Sequence, residues 1–102
     1  MTYEVRITDE ACGAIDAQAD YIAEESGFPG RGVEWLLECY ALIDTLETFP
    51  SRCAFAPENE RRDYEVRKLN FGSYLIFFRV DEDAKVVHVT GFRHGMREVP
   101  DQ

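Results

Sequence analysis

From Tyr3 to Ile7, apolar Tyr3, Val5 and Ile7 alternate with Glu4 and Arg6. This two-residue period predicts a strand with one buried face. The period then changes. Thr8 suits an N-cap, and Asp9 and Glu10 follow in the first turn, where the helix dipole favours acids. Ala11, Ala14, Ile15, Tyr21 and Ile22 recur at helical spacing, and Gly27 ends the run. Pro29 suits the start of a second helix. Trp35, Leu36, Cys39, Leu42, Ile43 and Leu46 give that helix a strong apolar stripe, which Phe49-Pro50 stops.

Residues 51–63 read as a polar connection. Three strands follow, over residues 64–69, 74–80 and 85–92, with turns at 70–73 and 81–84. Gly72 and Asn70 supply residues that tolerate positive φ. Strands this close together pair as antiparallel hairpins. The expected architecture is α+β in the order β-α-α-β-β-β, an antiparallel sheet with a helical hairpin on one face. Residues 1–102 are read as one domain, the size expected of a chain this long. The other sheet face is left to water or to a partner.

Charge changes this picture, because it is uneven. The net charge is −9. Residues 1–50 hold only Arg6 and Arg31 against eleven acids, whereas residues 51–102 hold nine basic and nine acidic residues. The hairpin is therefore acidic on its outer face, and any basic patch for a nucleic acid or an acidic partner must be local and built from the second half. The start of the chain lacks the apolar core and cleavage site of a signal peptide, and no stretch is long enough to span a membrane. A cytoplasmic location is the expectation. Cys12, Cys39 and Cys53 show no metal-ligand spacing and read as free thiols, the first two as small buried hydrophobes. His88 and His94 suggest no zinc site, and no cofactor is implied.

An ordered set of local signatures resembles the RelE/ParE toxin superfamily, which includes plasmid stabilisation proteins. Tyr21-Ile22-Ala23-Glu24 closes the first helix, and Leu46 with Phe49-Pro50 closes the second. Pro57-Glu58 lies in the connection, and Val66-Arg67-Lys68-Leu69 precedes a glycine turn. The segment from Gly72 to Asp81 and the run Phe92-Arg93-His94-Gly95-Met96-Arg97 complete the set, which spans nearly the whole chain. The resemblance implies the toxin of a type II toxin–antitoxin pair, neutralised by a cognate antitoxin. It also implies two targets, DNA gyrase for ParE-like members and the ribosome with its mRNA for RelE-like ones. A degenerate, non-toxic module that only binds antitoxin is the third reading.

Metal-free RNA cleavage needs a base for the 2′-hydroxyl, a stabiliser for the phosphate charge and an acid for the leaving oxygen. Arginine suits the phosphate. By resemblance, Arg67 and Arg93 take that role, His94 moves the proton, and Glu58 matches the acid some branches use as a base. Arg61, Arg62, Lys68 and Arg97 are the expected target contacts. Leu75, Phe77, Arg79, Val87 and Val89 are candidates for antitoxin contact. Arg67 and Arg93 are expected to converge on the open sheet face. Departures from the nuclease pattern tilt the reading towards the non-nucleolytic, gyrase-directed branch. Only Lys68 and Lys85 are lysines, and no late tyrosine follows Arg97.

Overall fold

A computed structural model describes residues 2–53 and 66–94. The first strand, β1, is Glu4–Ile7, followed by α1, Asp9–Ser26. Thr8 caps α1, its Oγ1 accepting from the Ala11 N–H at 3.1 Å. Gly27 ends the helix in the left-handed region (φ 76°), and its N–H returns to the Ala23 carbonyl at 3.1 Å. The second helix, α2, is Pro29–Asp44, with proline where a missing N–H costs nothing. Two short 3-10 turns follow, Thr45–Glu47 and Pro50–Arg52. The Arg52 guanidinium gathers the carbonyls freed there, donating to Thr48 O at 2.7 Å and Phe49 O at 3.1 Å.

The remaining strands are β2, Arg67–Phe71; β3, Tyr74–Asp81; and β4, Val86–His94. The sheet order is β1-β4-β3-β2. The strands β2, β3 and β4 form an antiparallel meander, but β1 runs parallel to β4. The sheet is thus mixed, not wholly antiparallel as expected. The physical reason is the helical hairpin. It carries the chain back beside the start of β1, where the Tyr3 N–H donates to the Glu47 carbonyl at 2.8 Å. The meander then begins in the direction of β1, and its third strand repeats that direction alongside it. The β2–β3 turn also differs from expectation. It needs only Gly72 and Ser73, with Gly72 at φ 58°, so Asn70 and Phe71 belong to the strand.

The helices cover one sheet face. Ala11, Ile15, Cys39, Ile43 and Leu46 meet Leu69, Ile76, Phe78, Val87 and Val89 in a single core cluster. Burial of this kind is worth roughly 25 cal/mol per Å² of apolar surface and is the main driving force for folding. The helices cross closely at Gly32, where an added Cβ would stand 2.6 Å from the Ala19 carbonyl oxygen. At the far end of the sheet, Trp35 lies with ring centroids 5.5 Å from both Phe71 and Tyr74 and 5.7 Å from Phe92. As read from the helical stripe, it is a core residue.

The three cysteines are free thiols. Cys39 is fully buried, and burial pushes its thiol up to about 11. Burial raises Cys53 as well. Neither is poised as a nucleophile at neutral pH. Cys12 shares a 3.3 Å contact with the Tyr40 hydroxyl across the hairpin, and burial together with that thiol raises the Tyr40 phenol.

Candidate functional site

The sheet register decides which side chains the open face presents. Val5, Ile7, Leu69, Ile76, Phe78, Val80, Val87, Val89 and Phe92 all pack on the helix side. Side chains alternate along a strand, so Glu4, Arg6, Lys68, Leu75, Phe77, Arg79, His88 and Arg93 point the other way. At the centre of this open face, Phe77 packs with Val66 and Leu75 in a second apolar cluster. Lys68 stands opposite Phe77 in the register, and Arg93 stands opposite Leu75. The Arg93 guanidinium lies 5.3 Å from the Phe77 ring centroid, a cation–π contact, and donates to the His94 carbonyl at 3.2 Å. This second face therefore holds a small buried apolar cluster with cations beside it.

Arg67 does not join it. It pairs in register with Phe78, a core residue, and so lies on the helix side of the sheet. Its guanidinium donates to the Cys53 carbonyl at 2.6 Å, where the 3-10 turns end. The expected convergence of Arg67 and Arg93 on one surface does not occur. The cause is a β-bulge. The β3–β4 register shifts between Phe77 and Phe78, so that Phe78 faces Val89 while Phe77 faces Gly91. Thr90 is the extra residue. Strict alternation from Val89 would have put Arg93 on the same side as Arg67. The bulge turns Arg93 outward and His94 towards the helices.

His94 accordingly lies edge-on to Tyr74, ring centroids 5.3 Å apart. Both line a groove of about 640 Å³ between α1 and the end of the sheet, with Ala17, Gln18, Tyr21 and Phe92 among its walls. Gln18 donates to the Tyr74 hydroxyl at 3.0 Å and closes one side. The small side chains of Ala14 and Ala17 keep the groove open on the helix side. Glu58, Arg61, Arg62 and Arg97 lie outside the described residues. Among the described residues, no group of three or more His, Cys, Asp or Glu side chains is placed to hold a metal ion.

Of the antitoxin-contact candidates, Val87 and Val89 are fully buried under the helices, whereas Leu75, Phe77 and Arg79 are on the open face. Sequence reasoning passed over Arg6 and gave His88 no role, yet both share this face with Arg79. The available signal was their parity with Val5, Ile7, Val87 and Val89.

A two-helix hairpin on one face of a four-stranded mixed sheet, with Arg6, Lys68, Arg79 and Arg93 on the other, defines a class of small α+β proteins. Solved structures with this fold include the chromosomal ParDE toxin–antitoxin system from P. aeruginosa (TM-score 0.74, 18% identity, covering 91% of this chain and 96% of that one). The toxin–antitoxin complex RelBE2 from Mycobacterium tuberculosis is similar too (TM-score 0.63, 20% identity, 92% of each chain). So is the archaeal RelE–RelB complex from Pyrococcus horikoshii OT3 (TM-score 0.55, 19% identity, 96% of this chain and 100% of that one). No curated protein sequence matches. The family model of the ParE toxin of the type II toxin–antitoxin system, parDE, matches residues 5–99. The chain belongs to the ParE toxin family, within the RelE/ParE superfamily.

Proposed function

We propose that this chain is a toxin that a cognate antitoxin holds in check, and that it acts without cutting RNA, by engaging DNA gyrase. The observation that carries the non-nucleolytic part is the separation of Arg67 and Arg93 by the thickness of the sheet. A phosphate passing to its transition state needs donors that meet at one point, about 3 Å from the developing charge. Arg67 is committed to a backbone carbonyl on the helix side, and Arg93 stacks over Phe77 on the other. His94 is turned to the helix-side groove, away from the face that holds Lys68. Poisoning a large enzyme needs no such convergence, only a surface of the right shape and charge.

The antitoxin reading draws on the family and on the toxin–antitoxin complexes among the structural neighbours. An antitoxin segment that orders on contact would bury the groove beside α1 or the open face. Ribosome-dependent mRNA cleavage is the second reading. It draws on Lys68 and Arg93, which share the open face.

The test is induced expression with mRNA integrity and chromosome breakage followed in parallel. Trapped DNA breaks with intact mRNA at early times are expected. Rapid mRNA cleavage without breaks would replace this reading with the nuclease. Co-expression of the adjacent reading frame should abolish toxicity and yield a complex that purifies as one species.

A further inference from the structure

Among the described residues, the large apolar side chains left exposed are Tyr21, Phe28, Val33, Leu37 and Phe49. None of them is on the sheet; they lie on the helices or in the turns beside them. Two of them belong to one row. Val33, Leu37 and Ala41 recur at every fourth position of α2 and all are exposed, Val33 at 56% and Leu37 at 65%. Cys39 and Ile43, with the half-buried Trp35 and Leu42, hold the helix to the core, and the row lies on the opposite side of it. A row with this spacing is a ridge, the unit by which one helix packs against another. From Val33 to Ala41 it spans about 12 Å.

An acidic row runs alongside. Glu34 and Glu38 follow directly on Val33 and Leu37, and both are exposed. Neither forms an ion pair among the described residues. Like charges at this spacing weaken a helix, and a cation brought between them relieves that cost. Arg31 is the only base in α2. Asp44 stands about two turns beyond Leu37 on the same face. With Thr45, Glu47, Thr48 and Arg52 it lines a hollow of about 500 Å³ beside Phe49, which is 68% exposed. The Arg52 guanidinium is committed there to oxygens of Thr45, Thr48 and Phe49. An apolar ridge thus has carboxylates along its flank and at its end.

We infer that the outer face of α2 is a docking site for a cationic amphipathic helix of a partner protein. The apolar side chains of that helix lie along Val33, Leu37 and Ala41, and its Lys or Arg side chains meet Glu34 and Glu38. This surface is separate from the sheet face and from the groove beside Tyr74, so the docking site stands whether or not the chain is a toxin. A helix suits it because apolar positions at i and i+4 interdigitate with a ridge of the same spacing. The carboxylates repel phosphate, which disfavours a nucleic acid or an anionic membrane surface. A second copy fits poorly for two reasons. Two α2 helices packed antiparallel about a two-fold axis would set the Glu34–Glu38 flank against its own copy, carboxylate to carboxylate. The cationic sheet face of a second copy carries, among the described residues, no exposed large apolar side chain to meet the row.

The test uses the full-length chain and three blocked peptides of about 15 residues with one helical pattern. The first carries leucine on one stripe and lysine elsewhere, the second leucine and glutamate, the third serine and lysine. Binding is followed by amide chemical shifts. The leucine–lysine peptide should shift the amides of Val33, Glu34, Leu37, Glu38 and Ala41 and bind at least about tenfold more tightly than either control. Leu37→Gln should weaken it about tenfold, the loss of one apolar anchor. Glu34→Gln combined with Glu38→Gln should weaken it about fivefold, the loss of two exposed ion pairs. These positions are exposed and glutamine is a good helix former, so the variants keep the fold, which melting curves check. If a variant does not fold, the wild-type shift map and the ranking of the three peptides decide. Equal binding of the serine–lysine peptide reduces the contact to bulk charge and overturns the inference. So do equal binding of the leucine–glutamate peptide and an absence of shifts at residues 33–41. Shifts at residues 33–41 that change on dilution, with no peptide present, give the row to a second copy and overturn it too.

Discussion

Arg67 links the start of β2 to the last 3-10 turn through the Cys53 carbonyl, and it is half-buried there. A hydrogen bond from a charged group in such a place is worth about 1.5–3 kcal/mol. Arg67→Ala should therefore lower stability by about 1–2 kcal/mol, allowing for water entering the site, with a fall in Tm of about 5–10 °C for a domain of this size. Thermal melts check it. An unchanged melt with lost toxicity would return Arg67 to the target surface. A second residue pair gives the fold a pH signature. Tyr3 donates to Glu82 Oε1 at 2.8 Å, with Lys85 Nζ at 3.4 Å from the same oxygen. The Tyr3 hydrogen bond, ahead of the Lys85 contacts, lowers Glu82, and the bond to Glu82 raises Tyr3 above its ordinary value of 10.0. A lowered carboxylate stabilises the fold above its ordinary value of 4.5 and loses that contribution as pH falls through the lowered one. A raised phenol contributes below pH 10.0 and loses its share as pH rises through the raised value. Both groups are exposed, so the effect is small. The melting difference between wild type and Tyr3→Phe should be steady near neutrality and shrink at both extremes.

At the scale of elements, the hairpin depends on Gly32. Replacing it with alanine improves helix propensity by about 1 kcal/mol. The new Cβ, however, would meet the Ala19 carbonyl oxygen at 2.6 Å, and backbone on the facing helix cannot move aside cheaply. Overpacking costs about 1–3 kcal/mol, so it wins. Gly32→Ala should destabilise by about 1 kcal/mol and Gly32→Val by more, as read by denaturant unfolding. The elements were largely legible in the chain. Thr8, Gly27, Pro29 and the Trp35–Leu46 stripe each mark a boundary or a face through local chemistry. Strand phase was legible only as far as Val89. The bulge at Thr90 arises from pairing with β3, which a single strand's pattern does not record. That one extra residue parted Arg93 from Arg67 and turned His94 towards α1. The direction of β1 was hidden for a similar reason, since it depends on where the hairpin returns the chain.

For the whole molecule, the uneven charge of the sequence becomes an uneven surface. Asp9, Glu10, Asp16, Asp20, Glu24, Glu25, Glu34, Glu38, Asp44 and Glu47 are all exposed on the helical side. Arg6, Lys68, Arg79 and Arg93 face the other way. Among the described residues the two layers that make the core therefore also sort most of the ions, with Glu4 on the sheet face and Arg67 on the helix side as exceptions. Among the described residues this sorting sets up an electric dipole along the sheet normal, beside the negative monopole of the whole chain. An anionic partner feels a torque before it feels a contact, and within about a Debye length it is turned to meet the sheet face opposite the helices first. Orientation, then, is settled in the encounter itself, and it fades as salt shortens the reach of the field.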